Sequence, residues 1–427
     1  MPLSKTPWYY GWNIVGVTLV FQGILFGSVF FSYTLWVGEW REDASLGATA
    51  AGLFVPFTII SLGQSFIAPF AGHAMDRHSI RGLICTGGIL AGLGFAAISQ
   101  VTAFWQITLI YGSLLTIGIL LAGPLAAQTL ATKWFRGRRG LAIGLTTVGT
   151  SLGGMVMPPI VTMLYQAQGW RDAHLILGAS FIIVIVPLVW LTIRNTPEDA
   201  GVDPEPEPTS AAHGPTFEYP QWTTKTILQQ RTFWVIALAF TPMVFVFGGV
   251  QQNLGPFSSE LGNGKLETAF LVSTVSTVMI AGKLFFGGMS DRIDHRKLFW
   301  TALVILISSL LTMMLEPGYQ IMLVACGLLG FAAGAFLPLI GAIIASRFGP
   351  VAFGSVMGLI GPFLAAQSFG PMSMAWLREA IGSWEMVFVV AVALILPPFI
   401  AIAFLPKRPD RQGAQHASTG RVTAAGE

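Results

Sequence analysis

Charge is what this chain of 427 residues has least of. Only 10% of its residues are Asp, Glu, Lys or Arg, against about 25% in an average soluble protein. That is too little to cover a water-facing globule. With 53% hydrophobic residues and a mean hydropathy of +0.68, most of the surface must face lipid. The net charge of +3 is not gathered into one patch, which excludes a basic face for nucleic acid. The only cysteines, Cys85 and Cys326, both lie inside apolar runs, so they read as small buried residues and not as a disulfide framework. Among the six histidines only His174 falls within a long apolar run, and no metal-ligand spacing, nucleophile–base pair or phosphate loop is present. No cofactor is therefore expected. An enzyme working inside a membrane would need acids, bases or metal ligands at depth. Every one of the 20 Asp and Glu residues instead falls in a loop or at the end of a run.

What the chain has in plenty is apolar runs of spanning length. They cover 11–36, 48–71, 80–102, 104–131, 139–165 and 171–193, then 231–256, 267–290, 297–315, 318–346, 351–379 and 384–406. A bilayer core of roughly 30 Å needs about 20 helical residues. Without water to satisfy backbone groups these runs must be helices. The fold class expected is an all-α integral membrane protein of twelve transmembrane helices in two six-helix halves. The first run is read as a retained span and not as a cleaved signal. The domains expected are an N-terminal half at 1–193, a linker at 194–230, a C-terminal half at 231–406 and a tail at 407–427. The linker contains TPEDAGVDPEPEPTSAAHGP, a Pro- and acid-rich composition that cannot build a core, with a surface helix expected near 222–230.

Basic residues orient the spans. If both termini are cytoplasmic, the outer side receives only Arg41, Arg171, Lys265 and Arg378 of the 23 Lys and Arg residues. All others but one fall on the cytoplasmic side. The expected location is a cell inner (plasma) membrane, multi-pass, with cytoplasmic termini. The two halves also echo each other. GHAMDRHSIRG at 72–82 aligns with GGMSDRIDHRK at 287–297, pairing Asp76 with Asp291, Arg77 with Arg292 and Arg81 with Arg296. Internal repetition of this kind marks secondary transporters, whose site lies at the midplane between repeats. Charges at these helix ends can pair in one conformation and release in another, so they are read as gating residues, with a purely structural ion-pair role as the alternative.

The exception among the basic residues is Lys283. It is the only charged residue between Glu267 and Asp291. Eight positions before Asp291, it lies roughly 12 Å inside the membrane at about 1.5 Å per residue. An ammonium there costs roughly 2.5–3.5 kcal/mol on insertion scales unless something meets it. The partner expected is a transported carboxylate, with a snorkelling lysine as the plainer alternative.

The G-x-x-x-D-R-x-x-x-R pattern after the second and eighth spans resembles the signature loop of the major facilitator superfamily. Three further stretches are similar to its monocarboxylate transporter and oxalate:formate antiporter branch. They are Tyr10-Gly11-Trp12 at the head of the first span, KWFRGRRGLAIGLTTVG at 133–149, and PEDAGVDP at 197–204, which resembles the central loop of bacterial members. In that branch the eighth span carries a buried cation that binds the substrate carboxylate, and the alignment puts Lys283 at that position. The resemblance also exposes two departures. Met279 stands where monocarboxylate members commonly have Asp, and Phe363 stands where oxalate members carry a second cation.

Other candidate substrate-binding residues are Gln252 and Asn253 in the seventh span, Gln367, and the aromatics Phe30, Phe31, Phe331 and Phe363 near mid-span. For each of these, helix packing or lipid contact is the plainer alternative. The glycines of the fifth span, Gly140, Gly144, Gly149, Gly153 and Gly154, read as helix-packing positions. The function expected is secondary active transport of a small organic anion by alternating access. One cation without a second favours a monocarboxylate, and the apolar surroundings suit a short organic body. Proton-coupled symport through Lys283 is expected, with anion:anion exchange as an alternative and a drug or aromatic-compound exporter as the runner-up. A membrane sensor or an enzyme is the reading from a different class. The partners are the anion, a proton and the lipid bilayer.

Overall fold

The computed structural model describes residues 8–135, 139–203, 205, 223–290 and 292–405. Within them the chain is helical throughout. The first half contains α1 (Gly11–Phe26), α2 (Tyr33–Glu42), α3 (Val55–Arg77), α4 (Ile80–Ile98), α5 (Phe104–Ile110), α6 (Thr116–Ala122), α7 (Pro124–Trp134), α8 (Arg139–Ser180) and α9 (Val186–Thr192). A short α10 (Thr224–Gln229) precedes the second half, as expected for the stretch before the seventh span. That half contains α11 (Arg231–Glu260), α12 (Lys265–Met289), α13 (His295–Met314), α14 (Tyr319–Ala333), α15 (Phe336–Leu364), α16 (Gly370–Ile381) and α17 (Trp384–Ala401).

Nine stretches among the described residues are long and apolar enough to cross a membrane. The stretch Gly144–Thr192 crosses twice, because α8 bends at Gly169. The backbone φ there is 81°, a left-handed conformation that glycine adopts without a Cβ penalty. Two further crossings fall short of a continuous apolar helix for identifiable reasons. α3 carries Ser61, Gln64 and Ser65 along its length, and the run ending in α16 is interrupted by a 3₁₀ turn at Ala365–Phe369. This gives the twelve-span fold expected from the sequence.

Small residues set how closely the helices pack. A Cβ at Gly153 would overlap the Gly23 carbonyl of α1, and one at Gly330 would overlap the Val275 carbonyl of α12. The fifth-span glycines Gly149 and Gly153 therefore do serve packing, against α1. Gln22 is also structural: its amide nitrogen donates to the Thr146 carbonyl at 3.1 Å. Both cysteines are free and buried. The motifs at the start of the first span and after the fourth meet in space. The Tyr10 ring lies 5.6 Å from Trp134, Trp12 lies 4.7 Å from Phe135, and the Tyr10 hydroxyl donates to the Thr192 carbonyl.

Candidate functional site

Lys283 is seated where α12 presses against α14 and α8. A Cβ at Gly282 would overlap the Phe331 carbonyl, and one at Gly334 would come within 2.6 Å of the Lys283 backbone nitrogen. These bare positions hold the α12 backbone hard against α14, so the lysine side chain is directed by packing. On α12, Ser276, Met279 and Lys283 recur at helical spacing on one face, and that face meets α8. Lys283 Nζ donates to Ser151 Oγ at 2.7 Å, and Ser151 Oγ lies 3.9 Å from Met279 Sδ. Ser151 is fully buried, and no carboxylate among the described residues comes within ion-pair distance of Lys283. Met279, one turn before the lysine on this face, is a thioether, and the lysine's partner is a neutral hydroxyl from the other half.

A wide cavity lies between the two halves and touches α8 at Thr150. Its volume is about 420 Å³. Its wall combines aromatic rings (Phe26, Phe30, Phe31, Phe57, Phe247) with amides (Gln64, Gln251, Gln252, Gln367), and Thr150, next to Ser151, lines it as well. Phe31 reaches the α8–α12 seam one turn along α8 from Ser151, since a Cβ at Gly154 would meet both the Phe31 ring and Ser276 Oγ. A single π turn at Gly27–Phe31 presents Phe30 and Phe31 here, and π turns are frequent at functional positions. Gln252 Nε2 donates to the Phe30 carbonyl at 3.1 Å, which leaves its Oε1 buried without a partner.

Of the sequence candidates, Phe30, Phe31, Gln252 and Gln367 line this cavity, while Lys283 is not in its wall but bonds Ser151, the neighbour of the lining residue Thr150. Three others are placed elsewhere. Asn253 turns to the opposite side of α11, where its amide donates to the Gly249 and Pro371 carbonyls and ties α11 to α16. Phe331 packs on Phe285 and Phe286 of α12, and Phe363 packs on Phe233 and Trp234 in the first turn of α11. Adjacent helix positions face about 100° apart, which separates Gln252 from Asn253. The sequence reading missed Ser151, Gln64, Phe26, Phe57 and Phe247, and it passed over the mid-span amide Gln251 in favour of Gln252 and Asn253. Ser151 is hidden by its setting, as one small residue in a run of small residues.

The signature-loop residues show pairing within each half. Arg81 stacks over the Trp190 ring at 4.3 Å, and Arg296 forms a bidentate pair with Asp294 at 3.1 Å. Arg77 and Arg292 are exposed. Asp76 lies in the last turn of α3 with its side chain outside the description, and Asp291 is outside the described residues.

All ion pairs between the halves among the described residues lie at the opposite end of the bundle. Lys265 of α12 bonds Glu39 and Glu42 of α2, and Arg41 of α2 lies 3.9 Å from Glu260 of α11. Glu260 is also held by Arg378 and by Trp384 Nε1, each at 2.8 Å. The Ala50 N–H donates to Glu379 and the Gly255 N–H to Thr34 Oγ1. Together these contacts seal the Glu260 end. Ser65 and Gln367 on the cavity wall are exposed, so the cavity opens on the other side of the seal.

Comparison with known proteins agrees with this architecture. The profile of the Major Facilitator Superfamily matches residues 11–276 and 253–425. The chain belongs to that superfamily. Among curated proteins it is similar to Monocarboxylate transporter 13 of Rattus norvegicus, 26% identical over 415 residues, covering 93% of this chain and 89% of the relative. It is also similar to Monocarboxylate transporter 12 of Xenopus laevis, 25% identical over 350 residues, covering 78% and 76%. A third relative is the Fujikurins efflux protein of Gibberella fujikuroi, 26% identical over 334 residues, covering 77% and 68%. Among solved structures, a bacterial homolog of the human lysosomal transporter Spinster, in an inward-facing and occupied conformation, superposes with a TM-score of 0.69. It is 16% identical and covers 94% of this chain and 95% of its own. The chain is thus a multi-pass membrane transporter of that superfamily, similar in sequence to monocarboxylate transporters.

Proposed function

We propose that this chain is a secondary active transporter of small organic anions, foremost monocarboxylates, which it binds through Lys283. The observation that carries the reading is the Lys283–Ser151 contact, next along α8 to the cavity-lining Thr150. It is an ammonium deep in the bundle whose partner within reach is a hydroxyl on the other half. A carboxylate arriving there gains a charge-assisted hydrogen bond from Nζ. The Ser151 hydroxyl accepts from the lysine and donates to the Met279 thioether, a weak acceptor that a carboxylate oxygen would replace. Among the described residues no Lys or Arg lines the cavity, so dianions lack a second countercharge there.

Orientation follows from the basic residues: the Glu260 end, poor in Lys and Arg, faces outward, and the termini are cytoplasmic in a plasma (inner) membrane. With that end sealed, the conformation is inward-facing. Rocking of the two halves about the lysine seat would then expose it to either side.

Uptake of labelled monocarboxylates into proteoliposomes tests the reading. Lys283→Ala and Lys283→Gln should abolish uptake while the purified proteins keep the wild-type melting profile. Lys283→Arg should retain part of it, because charge is kept while donor geometry changes. Wild-type uptake by the alanine variant would refute the assignment.

A further inference from the structure

The cavity has room for a body larger than a three-carbon acid. A lactate-sized anion displaces about three waters, on the order of 90 Å³ at ~30 Å³ each. The cavity measures about 420 Å³, inside the roughly 300–1,000 Å³ typical of pockets for drug-sized ligands. Its wall is also not a generic apolar one. Phe26 and Phe30 stack at 4.9 Å with planes 19° apart, and Phe57 meets Phe30 edge-on at 5.8 Å. Phe31 continues this surface to Gly154, one turn along α8 from Ser151, and Phe247 of the second half lines the same cavity.

The spacing between the two parts matters as much as their chemistry. Ser151 and Gly154 are three residues apart on α8, about 4.5 Å along the axis. A carboxylate held by Lys283 and Ser151 therefore lies roughly one helical turn from the first ring of the wall. The body that bridges this gap and then fills the chamber is a flat ring on a short arm. Ring pairs at 4.5–7 Å in stacked or edge-on geometry gain about 0.5–1.5 kcal/mol each beyond area burial, and the chamber offers both geometries.

We infer that the preferred substrate is an aryl monocarboxylate, with its carboxylate on Lys283 and Ser151 and its ring between Phe30, Phe31, Phe57 and Phe247. This rests on the transport reading above and deepens it.

The test is competition in proteoliposomes among three acids of stated shape: lactate, cyclohexylacetate and phenylacetate. Phenylacetate should be taken up by the wild type and should compete roughly tenfold better than lactate. It should also compete several-fold better than cyclohexylacetate, which is as large but not aromatic. In Phe30→Leu and, separately, Phe247→Leu, the phenylacetate-to-cyclohexylacetate ratio should fall to within about twofold. If lactate matches or beats phenylacetate, and its uptake is lost in Lys283→Ala, the inference is overturned while the transport reading stands. If cyclohexylacetate matches phenylacetate, the aromatic claim is overturned. If no carboxylate accumulates in wild-type vesicles, the transport reading itself falls, and the inference with it.

Discussion

Replacing Lys265 with Gln should shift the transporter away from the conformation seen here. Lys265 joins the second half to Glu39 and Glu42 of the first, and its side chain is 41% exposed. Glu42 is 65% exposed, so that pair contributes little in high dielectric. Glu39 is only 12% exposed, which puts its pair near the top of the ~0.2–1 kcal/mol range for surface ion pairs. Losing both should destabilise the sealed state by about 1 kcal/mol, or about a fivefold change in the ratio of sealed to open molecules. Spin labels at Ala44→Cys and Leu315→Cys, both exposed, would report this by double electron–electron resonance. The native Cys85 and Cys326 are buried and stay unlabelled. Lys265→Gln should add a longer-distance population. Raising ionic strength should do the same to the wild type, because partly exposed pairs are screened, and should move the variant less. Superimposable distance distributions for wild type and variant at low and high salt would refute the latch.

Three further outcomes follow from the same structure. Gly330→Ala forces a methyl against the Val275 carbonyl of α12 and should cost about 1–3 kcal/mol, read as a lower apparent melting temperature, whereas Gly288→Ala, with open space around it, should melt like the wild type. Asp43, in the loop after α2, is held down to about 2 by the Ser45 hydroxyl and then the Arg171 guanidinium; a depressed carboxylate stabilises above its unfolded value of about 3.9 and loses that contribution as pH falls toward 2, so the melting difference between wild type and Asp43→Asn should shrink between pH 4 and pH 2. Proton coupling is decided by loading vesicles with or without internal anion and imposing a gradient, inside alkaline: gradient-driven uptake into empty vesicles supports symport through Lys283, and uptake that needs internal anion and ignores the gradient eliminates it.

The number of spans was readable because lipid imposes one requirement on every crossing, a long apolar helix. Where the apolar run is weakest, in α3 and around Ala365–Phe369, the structure puts cavity wall, contributing Ser61, Gln64, Ser65 and Gln367. Lys283 was readable for the opposite reason, as a charge where charge is expensive. Ser151 was not, because a serine among glycines and threonines gives no local signal until α8 and α12 are side by side. The size of the cavity was equally hidden. Phe26, Phe57 and Phe247 come from three helices far apart in the chain, and each alone looks like a packing or lipid-facing aromatic. Asn253 shows the limit of a mid-span polar residue as a clue, since its amide is spent on the Pro371 carbonyl. The outer latch went unread because its charges sit at span ends, where charge is ordinary.

The pairing of Lys283 with Ser151 links binding to movement. The lysine belongs to the second half and the serine to the first, so this hydrogen bond spans the surface across which the halves must rock. In the conformation seen here the ammonium is partnered, by a hydroxyl. Rotation that draws α12 from α8 removes that partner, and an unpaired ammonium within the bundle is costly. A bound carboxylate relieves the cost, since it travels with the lysine and supplies the opposite charge. The loaded carrier can therefore cross where the empty, protonated one is held back. That leaves two ways for the empty carrier to return: the lysine gives up its proton, or a second anion takes the first one's place. A carboxylate at position 279, one turn from the lysine, would supply a permanent partner and remove this constraint. Met279 cannot, so under the proposed function the protonated empty carrier is held back until it takes an anion or loses the proton.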